Sequence, residues 1–159
     1  VNDIYDNHVN NWIKKVSAPV DNYKICPFAS KARYTIEKGN KSELYSAIKQ
    51  NIDNTDLIVF IYEEYIDVDS AKELEVYANS NSEHIVMLDH PQDPGFIGDL
   101  NTGNGKYIIF LIQNRASLLA ARYTLFKTNY YDKWSEEYYK RIVINSEKCY
   151  KRIVINSEK

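Results

Sequence analysis

Leu57-Ile58-Val59-Phe60-Ile61-Tyr62 is an unbroken apolar run of branched and aromatic residues. A strand with one face in water alternates apolar and polar side chains, so a run apolar at every position needs cover on both faces. It therefore predicts a central strand inside a layered fold. Three further segments read as strands: Arg33-Tyr34-Thr35-Ile36, closed by Gly39-Asn40; His84 to Asp89; and Tyr107 to Ile112. Between them the apolar residues take helical spacings. Ile4, Val9, Trp12, Ile13 and Val16 mark a helix over 3–16, capped by Asp3 and ended by Ser17-Ala18-Pro19. Leu44, Tyr45, Ile48 and Ile52 follow a capping Ser42, and Ala71, Leu74, Val76, Tyr77 and Ala78 follow Asp67 or Asp69. Leu118, Leu119, Ala121 and Leu125 follow Asn114 or Ser117, and a last helix from near Asp132 holds Trp134, Tyr138 and Ile142. Strands alternating with helices predict an α/β fold, with α+β as its variant: one small sheet of about four strands with helices packed on it. The element order lies near a ferredoxin-like arrangement without matching it.

The 159 residues suit one domain, read as 1–148, with 149–159 a duplicated C-terminal tail. Residues 138–148 and 149–159 are identical except that Tyr138 becomes Cys149. Two copies are too few for a stacked array, so the tail reads as a recent tandem duplication dispensable to function. A net charge of -2 without a basic patch argues against a nucleic-acid partner. The longest apolar stretches, Leu57 to Tyr62 and Ile108 to Ile112, are too short to span a bilayer, so no membrane partner is expected. With two cysteines and no visible secretory signal, a reducing, cytoplasmic location is the expectation. The 14 tyrosines against 5 phenylalanines read as tyrosine serving at half-buried positions. Nothing in the sequence fixes the oligomeric state.

Chemistry is concentrated around Cys26, which precedes Pro27 and so sits on a restricted, extended backbone. It reads as a thiolate nucleophile or redox thiol, against the alternative of a small buried side chain. His90, where the third strand ends, reads as its base or as a donor to an anion, against a histidine that fixes the turn. Asp89 is placed to orient that imidazole. Arg115, near a helix start, reads as an anion clamp, against an ordinary surface arginine. Asn101, Asn104 and Lys106 belong to the glycine-rich loop from Gly98 to Lys106, which reads as a ligand-binding turn or lid. That loop matches neither the dinucleotide fingerprint nor the phosphate loop, and no cofactor is expected. His8, His84 and His90 are too scattered for a zinc site, so no metal is expected.

In this order the residues resemble an uncharacterised bacterial family of small proteins with an N-terminal tryptophan helix and a Cys-Pro-Phe-Ala motif. The likeness runs through Trp12, Cys26-Pro27-Phe28-Ala29, Arg33-Tyr34, Leu57 to Phe60, His90-Pro91 with Phe96, Asn101, Asn104 and Arg115-Ala116-Ser117. Departures are the absence of an Arg-Ser-Pro-Tyr-Pro run before the fourth strand, of a strand histidine near Phe110, and of a glutamate after Arg115. The resemblance implies no established activity; it groups Cys26, His90 and Arg115 as a set. Two functions follow as expectations. One is a thiol-dependent enzyme acting on a small anionic metabolite, with Cys26 and His90 catalytic and Arg115, Asn101, Asn104 and Lys106 binding. The other is a non-catalytic ligand-binding or accessory protein in which the cysteine motif is structural.

Overall fold

A strand apolar on both faces has to be roofed twice, and the run from Leu57 to Tyr62 is. The computed structural model describes residues 3–17, 19–20, 23–24, 33–52, 56–97, 100–127, 132 and 135–145. In chain order these form α1 (Asp3–Ser17), the short strands β1 (Pro19–Val20) and β2 (Tyr23–Lys24), β3 (Arg33–Gly39), α2 (Lys41–Ala47), β4 (Asp56–Tyr62), α3 (Val68–Ser80) and β5 (His84–Asp89). The short strands β6 (Phe96–Ile97) and β7 (Leu100–Asn101) follow, then β8 (Ile108–Asn114), α4 (Arg115–Phe126) and α5 (Glu136–Tyr139), which runs into a π-helical stretch, Lys140–Asn145.

Among the described residues the main sheet has four strands in the order β3-β4-β8-β5. β3 and β4 pair in parallel, with Ile36 beside Val59. β8 enters antiparallel between β4 and β5, so that Phe60, Phe110 and Leu88 stand in one row across three strands. The mixed sheet bears out an α/β fold with β4 central. It departs from a ferredoxin-like sheet at β3 and β4, which pair directly in parallel with no antiparallel strand between them.

Side chains alternate across the sheet with a period of two, and both faces are filled. Ile58, Phe60 and Tyr62 of β4, with Phe110 and Ile112 of β8, meet Leu44, Ala47 and Ile48 of the α2 segment and Ala71 and Ala78 of α3. Val59, Ile61 and Ile109 turn the other way and meet Val9 and Trp12 of α1. Both crossover helices thus lie on one face, and α1 roofs the other. Ile4, counted in the apolar stripe of α1, is 70% exposed at the helix start.

Helix starts follow local polar chemistry. Asp67 Oδ1 accepts from the Ser70 amide at 2.7 Å, which caps α3. Asn40, not Ser42, stands at the cap of α2, and its Oδ1 accepts instead from the Glu64 amide at 3.0 Å. Gly39 makes that junction: its φ is +147°, and a Cβ there would lie 2.6 Å from Glu43 Cβ.

β5 is an edge strand, and an unpaired edge exposes backbone donors and acceptors. α3 covers it with side chains one turn apart. Asn79 Nδ2 donates to Val86 O at 2.8 Å, and its Oδ1 accepts from Val86 N at 2.9 Å. Glu75 Oε2 accepts from Leu88 N at 2.6 Å. Asn79 therefore imitates a neighbouring strand. Burial raises the Glu75 carboxyl to about 6, against the pull of Arg141, the Leu88 amide and Lys72 and with a further push from Asp93.

Two outcomes follow. Asn79→Ala leaves two backbone groups of Val86 without their partner and is expected to cost about 2–4 kcal/mol in urea unfolding, with increased self-association; a cost under about 0.5 kcal/mol counts against the edge cover. As pH rises from about 4.5 to 6, native Glu75 holds a proton that the unfolded chain releases, so its contribution to stability falls through that window. Glu75→Gln should flatten this slope, on the order of 2 kcal/mol in all, as read from unfolding curves at stepped pH.

Candidate functional site

The C-terminal ends of β3, β4 and β5 and the start of β8 form one end of the sheet, and α1 crosses it. His8, Trp12 and Lys15 are spaced so that they share one face of α1. All three bind the segment before β8: His8 Nε2 lies 3.1 Å from Asn104 Oδ1, Trp12 Nε1 donates to Thr102 O at 2.8 Å, and Lys15 Nζ donates to Gly103 O at 3.4 Å. Thr102 is tied back to Gly95 O through both its amide, at 2.8 Å, and its hydroxyl, at 2.9 Å. The described part of the expected lid is therefore fastened, not free to swing.

Asn104 is the hub of this end. Its Oδ1 accepts from the Tyr107 amide at 2.7 Å and the Lys106 amide at 3.0 Å, and its Nδ2 donates to Tyr107 O at 2.8 Å. The same amide nitrogen donates to Asp89 Oδ2, which also accepts from the Asn104 backbone N–H at 2.8 Å. Burial pushes the Asp89 carboxyl up; the Asn104 bonds and the positive charge of Arg141 oppose that shift. Asn101 Oδ1 accepts from the Gly103 amide at 2.8 Å, a local turn contact. The Lys106 ammonium stands 5.1 Å from the Tyr107 ring centre. Gly103 has no room for a side chain, since a Cβ would come 2.9 Å from Pro94 Cβ.

His90 is 1% exposed. Its Nδ1 accepts from the Gln92 amide at 3.1 Å, and its Nε2 lies 2.9 Å from Ile66 O. A carbonyl only accepts, so Nε2 carries the proton and Nδ1 the lone pair, and both are spent on backbone. Asp89 does not orient this ring. Successive strand residues point to opposite faces, which sends Asp89 toward Asn104 under α1 and His90 toward the α3 side.

Arg115 lies at the other end of the sheet. β8 runs antiparallel to β5, so Asn114 sits beside His84 at the start of β5, while His90 follows its end. Six residues of strand separate the two ends, roughly 20 Å. The structure thus keeps Asn101, Asn104, Lys106 and His90 at one end and Arg115 at the other. Arg115 Nη2 donates to His84 O at 2.7 Å, and the residue is 6% exposed. Asn114 caps α4 by accepting from the Ser117 amide at 3.0 Å and donates its Nδ2 to Ile52 O at 2.9 Å. His84 Nε2 lies 2.5 Å from Gln50 O. Around them opens a cleft of about 480 Å³, whose lining includes Glu83, His84, Asn114, Arg115, Ala116 and Leu119.

Cys26 lies outside the described residues. Sequence reasoning passed over His8 as one of three scattered histidines, and over Glu75 and Asn79. The i, i+4, i+7 spacing of His8, Trp12 and Lys15 was the available signal for the first. For the other two, the signal was two polar residues one turn apart on a helix facing an edge strand. Among the described residues no group of three or more His, Cys, Asp and Glu side chains is disposed to hold a metal ion, and no helix is long and apolar enough to cross a membrane. Comparison with protein-family models, curated proteins and solved structures finds no match to this chain.

Replacing Asn104 by Ala keeps the backbone N–H bond to Asp89 but removes the side-chain donor to that carboxylate and the acceptor of the Lys106 and Tyr107 amides, and is expected to cost about 2–4 kcal/mol in chemical denaturation. Trp12→Phe keeps the ring in the core, loses only the bond to Thr102 O, and should cost about 1 kcal/mol. Equal, negligible losses in both variants would show that α1 is not latched through these bonds.

Proposed function

We propose that the protein binds a small, singly charged anionic molecule in the cleft at the start of α4, without catalysing its conversion. The observation that carries this reading is the Arg115 guanidinium, anchored by His84 O at 2.7 Å beside the first turn of a 12-residue helix on an open cleft. Helix N-terminal amides and a guanidinium both favour negative charge, and the anchoring bond fixes the guanidinium before any ligand arrives. Glu83 lines the same cleft and disfavours a polyanion.

The geometry gives less support to a thiol enzyme using His90, because abstracting a proton would require the imidazole to leave Ile66 or Gln92. The Cys26-Pro27-Phe28-Ala29 motif, and the family resemblance it carries, keep thiol chemistry as the second reading. Labelling of the native protein separates the two: rapid modification of Cys26 near neutral pH favours chemistry, and protection until unfolding favours packing.

Binding is tested by titrating acetate and inorganic phosphate while following the amide resonances of Ala116 and Ser117. Saturable shifts at millimolar acetate are expected, weakened by added salt and by Arg115→Lys. Glu83 is exposed, so Glu83→Gln is expected to fold and to tighten acetate binding severalfold. Shifts that neither saturate nor respond to Glu83→Gln would sink the proposal.

A further inference from the structure

Asn104-Gly105 is the one Asn-Gly pair in the 159 residues, and the fold treats its two members in opposite ways. Gly105 is exposed, with φ at +76°, a left-handed conformation that favours glycine. A Cβ built there would meet nothing within 4 Å, so water reaches this peptide group. Among the described residues the Gly105 N–H makes no hydrogen bond. Asn104, by contrast, is held through both ends of its side-chain amide. Oδ1 faces three donors: Tyr107 N–H at 2.7 Å, Lys106 N–H at 3.0 Å and His8 Nε2 at 3.1 Å. An amide oxygen only accepts, so this His8 nitrogen carries the proton. Nδ2 donates to Tyr107 O and to Asp89 Oδ2.

These bonds prepare a reaction between the two residues. Oδ1 takes the amides of the two residues after Gly105, which holds Asn104 Cγ on the side of the following chain, where Gly105 N lies. The ring that would join that nitrogen to Cγ closes by rotation about χ1 and ψ, without bending the planar peptide groups on either side.

We propose that Asn104 is a self-modification site, at which Gly105 N attacks Asn104 Cγ in the folded protein and the product releases α1. In the first step the Gly105 N–H proton passes to solvent and the N–Cγ bond forms. Negative charge gathers on Oδ1, where three donors already point, as in an oxyanion hole. The Cγ–Nδ2 bond then breaks, and Nδ2 takes a proton through Asp89 Oδ2, which solvent resupplies, and departs as ammonia. Burial favours the protonated form of Asp89, which suits that part. Water, the one co-reactant, opens the cyclic imide at either carbonyl and leaves aspartate or isoaspartate at this position.

Either product undoes the latch. A carboxylate here sets like charge against Asp89 Oδ2 and turns an oxygen toward Tyr107 O, where Nδ2 donated before. Isoaspartate also lengthens the backbone ahead of Lys106 and Tyr107. His8 loses its fixed acceptor, which leaves α1 tied to this segment through Trp12 and Lys15. The apolar face under α1, with Val59, Ile61 and Ile109, is then less firmly covered.

The full chain is incubated at neutral pH, native and unfolded in guanidinium chloride. Conversion of Asn104 is followed as a one-dalton mass gain in peptide maps, and isoaspartate by enzymatic methylation. The native chain is expected to convert about tenfold faster than the unfolded chain, which has the same Asn-Gly pair without the assembled donors. A native rate equal to or below the unfolded one overturns the proposal. This comparison uses the unsubstituted chain, so it stands however the variants fold. His8→Phe keeps an aromatic ring against Tyr107, removes one donor, and is expected to slow conversion severalfold. Faster conversion would mean that loosening the segment drives the reaction, and would overturn the oxyanion role of the donors. Asn104→Asp supplies one product directly. Its α1 amides are expected to exchange hydrogen about tenfold faster than those of the unsubstituted protein, with β4 unaffected; unchanged exchange in α1 overturns the release.

Discussion

β8 lies antiparallel between two strands that run the other way, and this one pairing arranges most of the molecule. It puts Phe110 between Phe60 and Leu88 on the face covered by α2 and α3, joining the β3-β4 crossover unit to β5 through a continuous apolar row. A row of large side chains that faces the helices from three strands cannot slip by one residue without sending every member to the opposite face. The register is therefore fixed by burial. With β8 as spacer, β4 and β5 stay parallel, and both crossovers pass over the same face. The opposite face is left for α1, where Val9 and Trp12 close over Val59, Ile61 and Ile109.

The same topology separates groups that stand close in a chemical reading of the sequence. The chain leaves β5 at one end of the sheet and leaves β8 at the other, so His90 and Arg115 lie a strand length apart. The end that holds His90, Asp89 and Asn104 is a satisfied polar network, in which a histidine, an asparagine and a carboxylate spend their bonds on fixing turns and holding α1. Buried polar groups are costly unless paired, and a network with each of these groups paired rigidifies the chain. At the α4 end, Asn114 and Arg115 anchor the chain to Ile52 and His84 beside an open cleft.

β5 shows how side chains substitute for a missing strand. Asn79 and Glu75 supply the edge of β5 with the donor and acceptors that a fifth strand would have brought. The charge this places in the interior, Glu75, faces Arg141 from the C-terminal segment and Lys72 from its own helix. The C-terminal segment thus meets the turn after β5 through Arg141, whose Nη1 lies 3.4 Å from Asp93 Oδ2.

Much of the fold was legible in the sequence. The unbroken apolar run of β4 dictated a doubly covered central strand, and β5 and α1 follow from a second apolar run and from helical spacing. Local chemistry placed Asp67 and Asn114 at helix starts, since a side-chain oxygen there meets amides a few residues on. Those properties depend on neighbours in sequence, and the sequence by itself determined them. Strand order, the parallel β3-β4 pair and the face each helix covers depend on which apolar surfaces meet, and only the tertiary structure decided those. The same division holds for the site. Residue types pointed to His90 as a base and to Asn104 and Arg115 as ligand-binding groups, but what a group can do depends on whether its lone pair or donor is already spent. That was settled by backbone carbonyls and amides brought together from distant parts of the chain, which no local pattern records.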